Sequence, residues 1–190
     1  MIPFRSGDLV TSTLSPQRPA TESGSPSSPP HAYDAGLLIV RLALGLTVAA
    51  HGAQKLFGWF GGGGLEGTGQ FFAMSGYPSG KTMALIAGLS ETLGGLGLVL
   101  GLLTPLAGAA ALGTMINAMA VKWGGGFFAP AGVEYELLLA ATAAGLALTG
   151  PGRLAVDRRL PVLRAHRLLH GIAAVVLAAV IAGLVLLVRD

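Results

Sequence analysis

The segment HGIAAVVLAAVIAGLVLLV, residues 170–188, carries no charged side chain along its whole length. A helix needs about 20 mostly apolar residues to cross the hydrocarbon core of a bilayer, with a working range of roughly 17–25. The segment therefore predicts a membrane-spanning helix. Four apolar runs precede it, at residues 35–57, 82–103, 105–121 and 134–150. We therefore predict an all-α fold, a polytopic membrane helical bundle with five spanning helices.

The composition supports a membrane protein and excludes several kinds of site. Of the 190 residues, 52% are hydrophobic and 11% are charged, and the mean hydropathy is +0.68. Soluble domains carry roughly 25% charged residues, so this chain has too few to cover a surface that faces water. The chain has no cysteine, which excludes disulfides, thiolate metal sites and thiol chemistry by its own residues.

The charge distribution predicts the orientation of the chain in the cell membrane. The net charge of +3 does not indicate a nucleic-acid partner, because positive charge is concentrated in one linker between two apolar runs. Short loops rich in Lys and Arg stay on the cytoplasmic side of a membrane. We therefore predict a cytoplasmic N-terminus, outward-facing loops at 58–81 and 122–133, and an outward-facing C-terminus. The linker residues that set this orientation are Arg153, Arg158, Arg159, Arg164 and Arg167.

The chain divides into three parts by composition. Residues 1–31 are rich in Pro, Ser and Thr and lack the apolar content that would offset the entropy of ordering. They predict a disordered cytoplasmic tail. Residues 35–160 hold four apolar runs and predict a four-helix membrane domain. Residues 161–190 contain the end of the basic linker and the additional C-terminal transmembrane helix.

A cluster of polar residues lies within or at the ends of the predicted spanning helices. Ionisable groups at membrane depth cost roughly 2.5–3.5 kcal/mol on insertion scales and usually pair inside the protein. Arg41, His51 and Lys55 share one face of the first helix, within an arc of about 80°. Arg41 lies near the cytoplasmic end, where its side chain can extend to the interface. The other members fall in the outer half of the bundle: His51, Gln54, Lys55, Glu91, Asn117, and Glu134 or Glu136.

We predict that His51 and Lys55 have acidic partners, namely Glu91 and Glu134. Two interpretations of these pairs remain open. In the first they are structural, because they neutralise each other and fix the register of the helices. In the second they line an outward-facing cavity that binds a polar ligand or a quinone head group, or that moves protons. A solvent-connected pocket that reaches His51 and Glu91 would favour the second interpretation.

No recognisable motif for a metal or a bound cofactor is present in the sequence. GGGLEG, residues 62–67, fits G-x-G-x-x-G, but it follows a helix rather than a strand. GYPSGKT, residues 76–82, is similar to a phosphate-binding loop, but Ser75 stands where the pattern requires glycine. A quinone is the remaining cofactor candidate.

Several short motifs together resemble the DoxX family of membrane proteins. They cover residues 35–160, and the fifth run lies outside the usual four-helix core of that family. The motifs are RLALG (41–45), HGAQKLFG (51–58), GG (61–62), LEGT (65–68), ETLGG (91–95), EYE (134–136) and GPGRL (150–154) followed by Asp157.

The resemblance implies a four-helix membrane bundle and a link to quinone-coupled sulfur oxidation or to membrane complexes with redox enzymes. The resemblance does not assign catalytic residues, because no set of them is generally agreed for the family. Our main hypothesis is a membrane subunit of a quinone-linked redox complex, with a sulfurtransferase or another redox enzyme as partner. The alternative is a non-enzymatic anchor or scaffold for redox enzymes. A small transporter ranks last, because no broken helix or inverted repeat is evident. The spacing of Gly97 and Gly101 suits packing within the bundle or between copies in a homo-oligomer.

Overall fold

The computed structural model describes residues 30–160 and 167–190, and every regular element within them is helical. The predicted all-α bundle is therefore confirmed. Most of the predicted tail, and residues 161–166 of the basic linker, lie outside the described residues. The α-helices are α1 (Pro30–Phe57), α2 (Gly64–Met74), α3 (Gly80–Leu100), α4 (Thr104–Lys122), α5 (Glu134–Thr149) and α6 (Leu168–Leu187).

Among the described residues, four helical segments are long and apolar enough to cross a membrane: His31–Phe57, Gly80–Leu100, Thr104–Gly125 and Leu168–Leu187. α5 has 16 residues. At 1.5 Å per residue it is about 24 Å long, which is less than the hydrocarbon thickness of about 30 Å. The prediction of spanning helices is therefore confirmed for α1, α3, α4 and α6, and for α5 it stays a prediction. α1 also begins earlier than predicted, since Pro30 suits the first turn of a helix.

α2 was not predicted, because its sequence GLEGTGQFFAM contains three glycines, which are poor helix formers. Tertiary packing explains why it forms. A Cβ added to Gly69 of α2 would lie 2.9 Å from the Cα atom of Lys81, at the start of α3. Gly69, one of the glycines that weaken the local helical signal, therefore allows α2 to lie directly against α3.

Small residues bring the spanning helices close together, as the sequence predicts. A Cβ added to Gly45 of α1 would lie 2.6 Å from the carbonyl oxygen of Gly95 on α3. Such backbone contact supplies packing where lipid removes the hydrophobic force between helices. Gly97 and Gly101 also face atoms of this chain, among them Ala107 and Ala155. α4 occupies the centre of the bundle and packs against α3, α5 and α6.

One end of the bundle, here called the Asp157 end, is held by a buried carboxylate. Asp157 is 3% exposed. It accepts hydrogen bonds from the backbone N–H of Leu103 at 2.7 Å and from the N–H and hydroxyl of Thr104, each at 3.0 Å. A carboxylate at this position satisfies donors that have no partner at the N-terminus of α4.

The opposite end, here called the α2 end, carries α2 and the C-terminus. The backbone N–H of Asp190 donates to the carbonyl of Gly76 at 3.0 Å, and Nε of Arg189 donates to the carbonyl of Ser75 at 2.8 Å. The guanidinium of Arg189 also lies 5.5 Å from the ring centre of Tyr77. The C-terminus therefore shares one end of the bundle with the 58–81 loop, as both were predicted to share one side of the membrane.

We expect the α2 end to face outward and the Asp157 end to face the cytoplasm, because the arginine-rich linker follows α5. Reporter fusions after Leu103 and Gly152 should then be active in the cytoplasm, and a fusion after Asp190 should be active outside. Paired reporters such as green fluorescent protein and alkaline phosphatase would measure this. An outward signal at Gly152 would reverse the orientation.

Candidate functional site

The predicted ion pair between α1 and α3 is present. The Nζ atom of Lys55 lies 2.6 Å from Oε2 of Glu91. The Glu91 side chain is 3% exposed and that of Lys55 is 23% exposed. Gly52 of α1 and Gly88 of α3 let the helices approach here, because an added Cβ at either position would clash with the other helix. The pair therefore holds a buried carboxylate in the spanning part of α3 beside a partly accessible ammonium group.

Among the described residues His51 forms no hydrogen bond with an acidic side chain, so the predicted pairing of His51 with Glu134 is wrong. Its Nδ1 atom lies 3.0 Å from Oε1 of Gln54, and its Nε2 atom lies 2.9 Å from the hydroxyl of Tyr135. Glu134 instead accepts a hydrogen bond from the backbone N–H of Ala129 at 2.9 Å. The reason is the helical rotation of about 100° per residue, which turns Tyr135 toward α1 and its neighbour Glu134 away.

A second lysine–carboxylate pair joins α4 to α5. The Nζ atom of Lys122 lies 2.6 Å from Oε1 of Glu136. The other carboxylate oxygen of Glu136, Oε2, is buried and has no hydrogen-bond partner among the described residues. Glu136 was predicted from the sequence as a member of the polar cluster, and Lys122 was not. The available signal was that Lys122 ends one helix and Glu136 begins the next at the same end of the bundle.

Asn117 joins α4 to the loop between α2 and α3. Its Oδ1 atom accepts a hydrogen bond from the hydroxyl of Tyr77 at 3.1 Å, and its Nδ2 donates to the carbonyl of Gly113 at 3.1 Å. Burial raises the pKa of the Tyr77 phenol, and the nearby Arg189 guanidinium opposes that shift. Tyr77 therefore remains a donor at neutral pH. Tyr77 was not predicted as a member of the cluster, since it lies in a predicted loop.

Arg41 lies apart from the other polar residues, although it shares a helix face with His51. At 1.5 Å per residue the two lie about 15 Å apart along α1. Arg41 is 1% exposed, so the prediction that its side chain extends to the interface is wrong. Its guanidinium donates to backbone carbonyls at the Asp157 end: those of Leu98 (2.9 Å), Val99 (3.2 Å), Leu154 (3.0 Å) and Pro151.

A cavity of about 470 Å³ lies between α3, α4 and α6, and it reaches the polar cluster. Its polar end includes both lysine–carboxylate pairs together with His51, Asn117 and Tyr135. The rest of the wall is mostly apolar, and its polar members are Tyr77, Ser90 and Thr114. Several wall residues are exposed on the side of the bundle that would face lipid, namely Ile86, Leu106, Leu177 and Ile181. The cavity is therefore a cleft that opens sideways.

This arrangement favours the functional interpretation of the cluster. Ligand sites are typically clefts of about 300–1,000 Å³ with apolar walls and a few convergent polar groups. This cleft reaches His51 and Glu91, so the polar residues do not form a closed pairing. It offers ammonium and hydroxyl donors and carboxylate acceptors at one end and an apolar surface along its length. Such a site suits an amphiphile whose head is polar and whose tail extends into lipid.

Comparisons with known proteins identify one family. The family model DoxX matches residues 36–124, which extend from within α1 to just beyond the end of α4. His51, Lys55, Glu91 and Lys122 lie inside the match. The motifs after residue 124, together with Glu136 and all of α6, lie outside it. No curated protein and no solved structure matches the chain.

Proposed function

Since residues 36–124 match the DoxX family model, we propose that this protein is a quinone-binding membrane subunit of a redox complex. The observation that supports the proposal is the sideways-opening cleft of about 470 Å³ with a polar end. A quinone has a polar ring and a long apolar tail. Its tail would lie along α3, α4 and α6, and its ring would lie against the polar end.

The polar end offers suitable groups for the ring. The ammonium groups of Lys55 and Lys122 each carry three donors, of which a carboxylate uses only part. A quinone carbonyl near either lysine would accept a charge-assisted hydrogen bond, which is stronger than one between neutral groups. His51 and Tyr135 already bond to each other and would help to fix the position of the ring.

The electrons would come from a partner. The chain has no cysteine, so a persulfide or thiol donor must be carried by another protein, such as a sulfurtransferase. The reaction that we propose is quinone plus two electrons and two protons giving hydroquinone. The partner would supply the electrons from a reduced sulfur compound. In this scheme the protein described here binds the acceptor and orients its ring.

A non-enzymatic anchor for redox enzymes is the alternative, and one observation favours it. Arg153, Arg158 and Arg159 are exposed at the Asp157 end, where they could contact an acidic partner. The positive-inside rule explains the same charges without a partner. If the protein is an anchor, a redox enzyme should co-purify with it from membranes, and the protein should bind no quinone. Quinone binding therefore separates the two proposals.

A Gly113→Leu variant tests the proposed site, because Gly113 of α4 lines the cleft. A Cβ added there meets only the carbonyl of Ala178, at 3.7 Å, so the backbone tolerates a side chain. The added isobutyl group should weaken binding of a decyl-substituted benzoquinone to the purified protein by about tenfold or more, equivalent to about 1.4 kcal/mol. Equilibrium binding in lipid nanodiscs measures it.

The matched control for this variant is Gly183→Leu on α6. Gly183 is also helical, has open space around it, and does not line the cleft. The control should bind the benzoquinone as the wild type does. Equal binding by both variants, or no binding by the wild type, would contradict the proposed site.

A further inference from the structure

The carboxylate of Glu136 is only half satisfied. Its Oε1 atom pairs with Lys122, while Oε2 is buried without a hydrogen-bond partner in residues 30–160 and 167–190. The residue is 6% exposed and lines the cleft. Buried polar atoms are rarely left without a partner, because an unsatisfied one has lost its hydrogen bonds to water and gained none in return. A ligand in this cleft could therefore donate a hydrogen bond to this free oxygen.

The chemistry of a carboxylate limits what can satisfy it. An ionised carboxylate only accepts hydrogen bonds, so its partner must carry a donor. A quinone ring has carbonyl oxygens, which are also acceptors and would face Oε2 unfavourably. A hydroquinone ring has two hydroxyl groups, and either can donate. The lysine donors at the same end can contact the oxygens of both forms, so they discriminate less between them.

We infer that Glu136 makes this cleft bind the hydroquinone form of its ligand more tightly than the quinone form. The inference rests on the proposed function, since it concerns the same site. Such a preference would change the driving force for reduction of the bound quinone. Preferential binding of the reduced form raises the midpoint potential of the bound couple, by about 30 mV for each tenfold preference in a two-electron reaction. The bound quinone would then be a better electron acceptor.

The experiment measures the affinity of purified protein in nanodiscs for decyl-benzoquinone and for its hydroquinone, without oxygen. The wild type should prefer the hydroquinone by about tenfold, the size expected for one hydrogen bond to a charged group. Glu136→Gln should lose or reverse this preference, because its amide can turn an N–H donor toward the ligand. Glu134→Gln is the matched control: Glu134 lies two residues away on α5, does not line the cleft, and should leave the preference intact.

A second comparison needs no protein variant and so does not depend on whether Glu136→Gln folds. The dimethyl ether of the hydroquinone keeps the ring and tail but has no hydroxyl donor. Wild-type protein should bind it no more tightly than the quinone. Equal affinity of the wild type for quinone, hydroquinone and ether would overturn the inference and leave the proposed function standing. No measurable binding of any form would overturn both.

Discussion

Replacing Arg41 by methionine is expected to prevent accumulation of folded protein. Arg41 is 1% exposed and donates to carbonyls of Leu98, Val99, Leu154 and Pro151. Hydrogen bonds to charged groups contribute about 1.5–3 kcal/mol each, so losing this set should cost more than about 4 kcal/mol. Folded proteins are stable by only about 5–15 kcal/mol. The yield of monodisperse protein after mild solubilisation, and its unfolding temperature, would measure the loss.

Two further variants separate the geometry of Arg41 from its charge. Arg41→Lys keeps the charge but has a single nitrogen, which cannot reach carbonyls in both α3 and the loop after α5; we expect an intermediate loss of stability. Arg153→Met is the control. Arg153 is exposed and lies 3.7 Å from Asp34, a surface pair worth at most about 1 kcal/mol. Normal folding of Arg41→Met would show that these four contacts do not stabilise the bundle.

The contrast between Arg41 and Lys55 illustrates what the sequence can predict. Counting residues from the helix ends gives depth along the bundle, and depth alone places Lys55 near Glu91. The partners of Arg41 could not be predicted in this way. They are backbone carbonyls at the end of α3 and in the loop after α5, and no side-chain pattern indicates them.

Rotation about the helix axis explains why Glu134 was wrongly predicted as the partner of His51. Glu134 and Tyr135 start α5 at the same depth, and only the packing of α5 decides which of them faces His51. The cleft could not be predicted from the sequence either, because it depends on how α6 packs against α4. Hydropathy predicted the spanning length of α6 but not which helices it contacts. Likewise α2 forms by packing on α3, against its local sequence preference.

Lys55→Met is expected to destabilise the protein by about 3 kcal/mol, because it leaves the Glu91 charge buried without a partner. The estimate is at the low end of the range for broken buried pairs, since the Lys55 side chain is 23% exposed and its site is partly accessible. Unfolding of the purified protein in mixed micelles would measure the change. Lys81→Met is the control, since Lys81 and Glu66 form an exposed pair and its loss should change stability by less than about 1 kcal/mol.

The double variant Lys55→Met, Glu91→Leu separates the contribution of the pair from the penalty of an unpaired charge. Replacing both partners of a buried ion pair by apolar residues is often neutral or stabilising. We therefore expect the double variant to recover most of the stability that Lys55→Met loses. It should nevertheless fail to bind decyl-benzoquinone with wild-type affinity, because the ammonium donor at the polar end is gone. Recovery of stability without recovery of binding would assign the Lys55–Glu91 pair to the ligand site as well as to the fold. Full binding by the stable double variant would instead restrict Lys55 to a structural role, and would leave Lys122 as the lysine that binds the ring.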